Sequence, residues 1–101
     1  MKPGAPPDLP IEREEGPSKG RYYVRLDGHE AEMTWSRAGE STIIIDHTYV
    51  PEALRGRSVG QALVARAVRD ARAEGRQIVA LCPFASAQFA RHPEWQDVLK
   101  R

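Results

Sequence analysis

Apolar and polar residues alternate through the first half of the chain. Tyr22, Val24 and Leu26 interleave with Tyr23 and Arg25, and Ala31, Met33 and Trp35 interleave with Glu30, Glu32, Thr34 and Ser36. A period of two is that of a half-buried β-strand. Asp27-Gly28 between the two runs is a hairpin turn signal, and Arg37-Ala38-Gly39 makes the next turn. Residues 41–50 then read as a third strand, with Ile43, Ile44 and Ile45 apolar toward both faces. Within it, Ile43, Ile45, His47 and Tyr49 are expected on one face and Ile44, Asp46, Thr48 and Val50 on the other. Pro51 closes this strand, because proline has no N–H for a ladder.

The period then lengthens to that of a helix. Gly60, Val64, Ala67 and Ala71 form a stripe flanked by Leu63 and Val68, which predicts an amphipathic helix over about 58–74. Gly75 stands at the usual C-terminal glycine position. Residues 77–81 give a short apolar strand. A strand–helix–strand connection makes its two strands parallel, with a right-handed crossover. Cys82-Pro83-Phe84 ends the strand, a short helix over 85–91 follows, and His92-Pro93 breaks it. Residues 95–100 predict a last helical turn that docks Trp95, Val98 and Leu99 on the sheet. The fold class is therefore α/β (α+β): three antiparallel strands, a βαβ crossover to a fourth, and short C-terminal helices.

Residues 1–19 break this pattern. They hold five of the eight prolines, four acidic residues and almost no large apolar side chain. They read as a flexible Pro-rich tail, with one domain over 20–101.

Composition narrows the function classes. Of 101 residues, 41% are hydrophobic and 29% charged, with a formal net charge of +1. Such a balance gives no case for a nucleic-acid or membrane partner. Charge is uneven along the chain: residues 1–50 carry six Lys/Arg against nine Asp/Glu, and residues 51–76 carry six arginines against three acids. Arg66, Arg69 and Arg72 lie off the helix's apolar stripe, so most read as a solvated face, with Arg66 able to pair with Asp70 at i, i+4; a nucleic-acid reading is weak, because no aromatics interleave with them. The single cysteine, Cys82, excludes an intrachain disulfide and fits a reducing, cytoplasmic setting. No apolar run reaches the length of a membrane span, and the three histidines and one cysteine have no metal-ligand spacing.

The candidate chemistry lies between the third strand and the helix. Arg55-Gly56-Arg57-Ser58-Val59-Gly60 is a glycine-bearing turn leading into a helix. The first N–H groups of a helix lack internal partners, and its dipole is positive there. Gly56 and Gly60 leave room for a bulky phosphate, Arg55 and Arg57 add forked donors, and Ser58 can cap the helix through its hydroxyl. An ordinary capped helix fits the same spacing. His47 falls near the end of the third strand, where it suits a general base or a half-buried histidine bonded to backbone. Cys82 falls at the corresponding end of the fourth strand. It suits a thiol facing a ligand, as nucleophile or wall, or a small buried apolar residue. Its neighbours Pro83 and Phe84 predict a raised thiol pKa.

The turn Arg55–Gly60, following Tyr49-Val50-Pro51, resembles the acetyl-CoA-binding signature of the GNAT N-acetyltransferases. His47-Thr48-Tyr49-Val50-Pro51, Cys82-Pro83-Phe84 and His92-Pro93-Glu94-Trp95 resemble, more narrowly, the small stand-alone members with a minimal GNAT fold. This resemblance covers about 20–99. It implies acetyl-CoA in the cleft where the third and fourth strands splay, with backbone of Tyr49 and Val50 along the pantetheine arm. It implies amides from Arg57 through Ser58 and Val59 to Gly60 on the pyrophosphate, and His47 and Cys82 as the catalytic pair. The implied activity is transfer of an acetyl group to a primary amine; a non-catalytic CoA-binding module is the alternative. A small open site suits a protein lysine, an N-terminus or a polyamine as acceptor. Two departures stand out: Ser58 occupies a position that is usually glycine, and no tyrosine follows Tyr49 to protonate a departing thiolate.

Overall fold

Antiparallel hairpins build most of the sheet. The computed structural model describes residues 8–100. In chain order it contains β1 (Glu12–Glu15), β2 (Lys19–Leu26), β3 (His29–Arg37), β4 (Thr42–Tyr49), α1 (Val59–Glu74), β5 (Gln77–Ala80) and α2 (Pro83–Arg91). Short 3-10 turns cover Glu52–Leu54 and Pro93–Trp95. The strands form one sheet in the order β1-β2-β3-β4-β5, antiparallel except for the parallel β4–β5 pair. Asp27 and Gly28 both take positive φ, 52° and 79°, as a two-residue primed turn requires.

One face of the sheet carries Tyr22, Val24, Ala31, Met33, Trp35, Ile43 and Ile45, all buried. Helix α1 covers them with Leu63, Val64, Ala67, Val68 and Ala71. The alternate positions carry charge. Arg21 bonds Glu14, Glu30 and Glu32 and lies 4.1 Å over the Tyr23 ring.

Three expectations need correction. Residues 12–15, placed in a tail, form β1 and pair with β2, so the sheet has five strands and not four. Leu9 and Ile11 pack against the core. Arg13 reaches across to Glu74 Oε1 at 3.1 Å and Asp70 Oδ2 at 3.3 Å on α1. A Glu-Arg-Glu-Glu strand has no hydrophobic signature, because its stability comes from ladder bonds and partners distant in sequence. The remainder of that tail, residues 1–7, lies outside the described residues.

The faces of the third strand change part-way. Ile45 pairs with Trp35 but His47 pairs with Thr34, so Asp46 is an extra residue, a β-bulge. Beyond it the alternation reverses, and Thr48, not His47, shares the side of Ile45. The segment after Trp95 is also not an α-helical turn: Val98 N–H donates to Trp95 O at 3.3 Å and Leu99 N–H to Gln96 O at 3.2 Å, tight i→i+3 bonds, before the backbone reaches β5. Leu99 bridges Ile78 in parallel, with Ile78 N–H donating to Val98 O at 2.7 Å and Lys100 N–H to Ile78 O at 2.8 Å. These extended residues satisfy the outer edge of β5, which a helical turn would leave open.

The off-stripe arginines of α1 keep their expected character, Arg69 and Arg72 exposed and Arg66 paired with Asp70 at i, i+4, and two of them also hold partners distant in sequence. Arg66 bonds Asp70 at 3.2 Å and Ile11 O at 2.9 Å, and Arg72 clasps Asp97 at 2.7 Å through both nitrogens. They tie the helix to both ends of the chain.

Candidate functional site: a basic cleft where two strands part

β4 and β5 pair only as far as Ile45 and Ala80, with one further bond from Cys82 N–H to Ile45 O at 3.0 Å. β4 continues to Tyr49 beside β3, while the chain after β5 turns away into α2. The parting opens a cavity of about 630 Å³. Thr48 of β4 and Val50 just beyond it line one wall, and residues 54–56 and 58–61 line the floor. Phe84, Gln88, Arg91 and His92 from α2 and its end line the other wall. Among the described residues, no carboxylate lines it.

The turn has the expected position, for partly different reasons. Gly56 adopts φ +82° with open space where a Cβ would stand, so its backbone conformation is what demands glycine. Gly60 is helical, and a Cβ there would lie 2.5 Å from Phe84 Cζ. The absent side chain thus admits the Phe84 ring rather than open solvent. Ser58 sits in the left-handed region at φ 59° and ψ 27°, and its hydroxyl makes no capping bond. The expected serine cap is therefore wrong: an N-cap hydroxyl reaches its amide from an extended backbone, which Ser58 lacks.

α1 still opens with unpaired donors. Ala62 N–H takes Ser58 O at 3.1 Å. The amides of Val59 and Gly60 precede it and have no backbone partner among the described residues. Arg55 is exposed and donates only a long 3.4 Å bond to Val50 O. Arg57 is less available, since its Nη1 lies 2.6 Å from Asp27 Oδ2.

His47 and Cys82 do not meet. Cys82 Sγ lies 3.5 Å from Thr48 Oγ1, so Thr48 points toward the sulfur. His47, its neighbour along the strand, points to the opposite face, where it is exposed. Neither side chain lines the cavity. Tyr49 is also exposed, at 51%.

The thiol does not behave as expected either. Burial pushes Cys82 up, but the amides of Ala85 and Phe84 at the start of α2, with Thr48, outweigh it and hold the thiol below its ordinary value. The sulfur faces these amides without the geometry of a full capping bond. The apolar neighbours Pro83 and Phe84 suggested the reverse, because they are adjacent in sequence while the helix start and Thr48 act through space.

His92 is the residue most underrated by sequence reasoning. It is 8% exposed and stacks parallel on Trp95 with centroids 3.7 Å apart. Its Nδ1 lies 2.8 Å from Gln88 O and its Nε2 3.1 Å from the Gln61 amide nitrogen. The carbonyl assigns the proton to Nδ1, so Nε2 accepts from Gln61 at the start of α1. The His-Pro pair read as a helix break and hid this. Arg91, Gln88 and Thr48 were likewise missed: only tertiary packing brings them to the wall.

A family model described as GCN5-related N-acetyl-transferase matches residues 21–98. This chain belongs to that family. The chain also resembles a GCN5-like candidate N-acetyltransferase from Staphylococcus aureus solved in solution by NMR. The two share 33% identity and a TM-score of 0.68, over 88% of this chain and 87% of the other. No curated protein matches. Among the described residues no helix is long and apolar enough to cross a membrane, and no group of three or more His, Cys, Asp or Glu could hold a metal ion.

Proposed function

We propose that this protein transfers an acetyl group from acetyl-CoA to a primary amine. The observation that carries this reading is the carboxylate-free cleft between the unpaired end of β4 and the N-terminus of α1. Family membership supports it. The residues present fit the cofactor. The amides of Val59 and Gly60, with Arg55 and the Gly56–Ser58 turn, suit a diphosphate. The backbone of Tyr49 and Val50, past the last β4–β5 pair, suits an extended amide-bearing arm.

Bound, acetyl-CoA supplies a thioester carbonyl that an amine attacks, with CoA leaving as the thiolate. His47, exposed beyond the bulge and off the cavity wall, takes the amine's proton through water around the open end of the strand. Cys82 lies on the other side of the strand, behind Thr48. Its lowered thiol pKa removes one objection to an acyl-cysteine route, but its sulfur is nearly buried and off the cavity wall. Direct transfer to the amine remains the favoured course. A non-catalytic CoA-binding module is the second reading, favoured by the opposed faces of His47 and Cys82. The acceptor class that best suits an open, unroofed approach is a protein lysine or N-terminus.

Calorimetry with CoA and acetyl-CoA, followed by intact mass of the acetyl-CoA mixture, tests these readings. Binding with turnover that His47→Ala removes supports the proposal. An acetyl adduct lost in Cys82→Ala supports the cysteine route. Binding without acetylation of lysine peptides, N-terminal peptides or polyamines supports the module, and absence of binding refutes both.

A further inference from the structure

Every arginine between residues 8 and 100 is ion-paired to a carboxylate except two, Arg55 and Arg91. These two line the same cavity, Arg55 from its floor and Arg91 from the wall formed by α2. Arg55 stands at the turn before α1, and Arg91 in the last turn of α2. Arg91 has no hydrogen-bond or ion-pair partner among the described residues, and it is exposed. The chain is rich in acids, and it satisfies even half-exposed arginines such as Arg72 and Arg57. A surface that pairs its arginines elsewhere and leaves two uncompensated cations facing one cleft has positive potential focused there.

We propose that Arg91 is a phosphate-binding residue of the cleft, a second arm in addition to Arg55 that grips a phosphate of the CoA nucleotide. This rests on the acetyl-CoA reading above and extends it. Three features support a phosphate in place of a carboxylate-bearing acceptor. The amides of Val59 and Gly60 already point positive charge into the same space. The lining has hydroxyl, amide and imidazole groups but no acid. Arg91 also adjoins His92, whose ring is locked between Trp95 and Gln61, so the backbone that carries the guanidinium is held firmly. The consequence is selectivity: the protein should prefer full CoA thioesters to truncated thioesters that lack the nucleotide.

The test is calorimetric titration of CoA into the parent, Arg91→Ala, Arg91→Lys and Arg69→Ala, each checked for an unchanged melting temperature. Arg69 is a control on the outer face of α1. Arg91→Ala should weaken CoA about three- to tenfold, the scale of one partly exposed charge-assisted contact. Arg91→Lys should recover most of the loss, and Arg69→Ala should change nothing. Adenosine 3′,5′-bisphosphate, which carries the nucleotide phosphates alone, should compete for the parent several-fold better than for Arg91→Ala. Equal CoA affinity in Arg91→Ala and the parent overturns the inference while leaving the acetyl-CoA reading intact. A loss that Arg91→Lys does not recover, or that the bisphosphate does not share, also overturns it, since Arg91 would then act by shape and not by charge. A parent that binds no CoA overturns the underlying reading itself.

Discussion

Replacing Ser58 separates two physical accounts of the same residue by sign. If the serine hydroxyl capped α1, Ser58→Ala would cost ~1 kcal/mol and Ser58→Gly only a few tenths. The structure shows no capping bond and a left-handed backbone, φ 59°. An L-residue there pays about 1–2 kcal/mol that glycine does not. Glycine gives back roughly 0.4–1 kcal/mol through the greater freedom of the unfolded chain. The balance is a gain of about 0.8 kcal/mol for Ser58→Gly. Ser58→Ala keeps the strain and loses no cap, so it should stay within about 0.5 kcal/mol of the parent. For a domain of this size the glycine variant should melt roughly 3–6 °C higher. Urea unfolding of the three proteins, with m-values compared, gives the free energies, and calorimetry the midpoints. Loss of ~1 kcal/mol in Ser58→Ala with no gain in Ser58→Gly would refute the strain account and restore the cap.

Three further outcomes follow from particular contacts. Arg13→Ala should lower stability by about 1–2 kcal/mol in urea titration, since the guanidinium is largely buried between Asp70, Glu74 and the Tyr22 ring; a change within error would mean that β1 is not fastened to α1. The hydrogen bond from Arg13 holds the Glu74 carboxyl below its usual value. The unfolded chain therefore takes up that proton first as pH falls, so this contribution is complete above about pH 4.5 and fades through the lower, folded pKa. Arg13→Ala should flatten that part of the acid limb, and an unchanged pH profile would speak against the linkage. Thr48→Val should raise the Cys82 thiol pKa, read from thiolate absorbance against pH, because it removes a bond that favours the charged sulfur; an unmoved titration would assign the lowering to the start of α2 alone.

What the sequence alone determined was periodicity and punctuation. Alternation in residues 20–36 placed β2 and β3, the apolar stripe from Gly60 to Ala71 placed α1, and Gly75 placed its end, because each signal is local and repeats with its element. The turn at Arg55–Gly60 was legible for the same reason: strand, glycine and helix are neighbours in the chain. The tertiary structure decided what depends on partners remote in sequence. β1 exists because Arg13 finds Asp70 and Glu74, and because its amides complete the edge of β2. The bulge at Asp46 turns Thr48 inward and His47 outward, since one extra residue in a period of two exchanges the faces of all that follow. It was fixed by pairing against β3, which no window along the third strand records. The low Cys82 pKa and the pairing of His92 with Gln61 arise where α2 meets β4 and α1. Arg91 joins the cleft only through the packing of α2, and it stands out there because the other described arginines have found acids, a property of the folded surface as a whole.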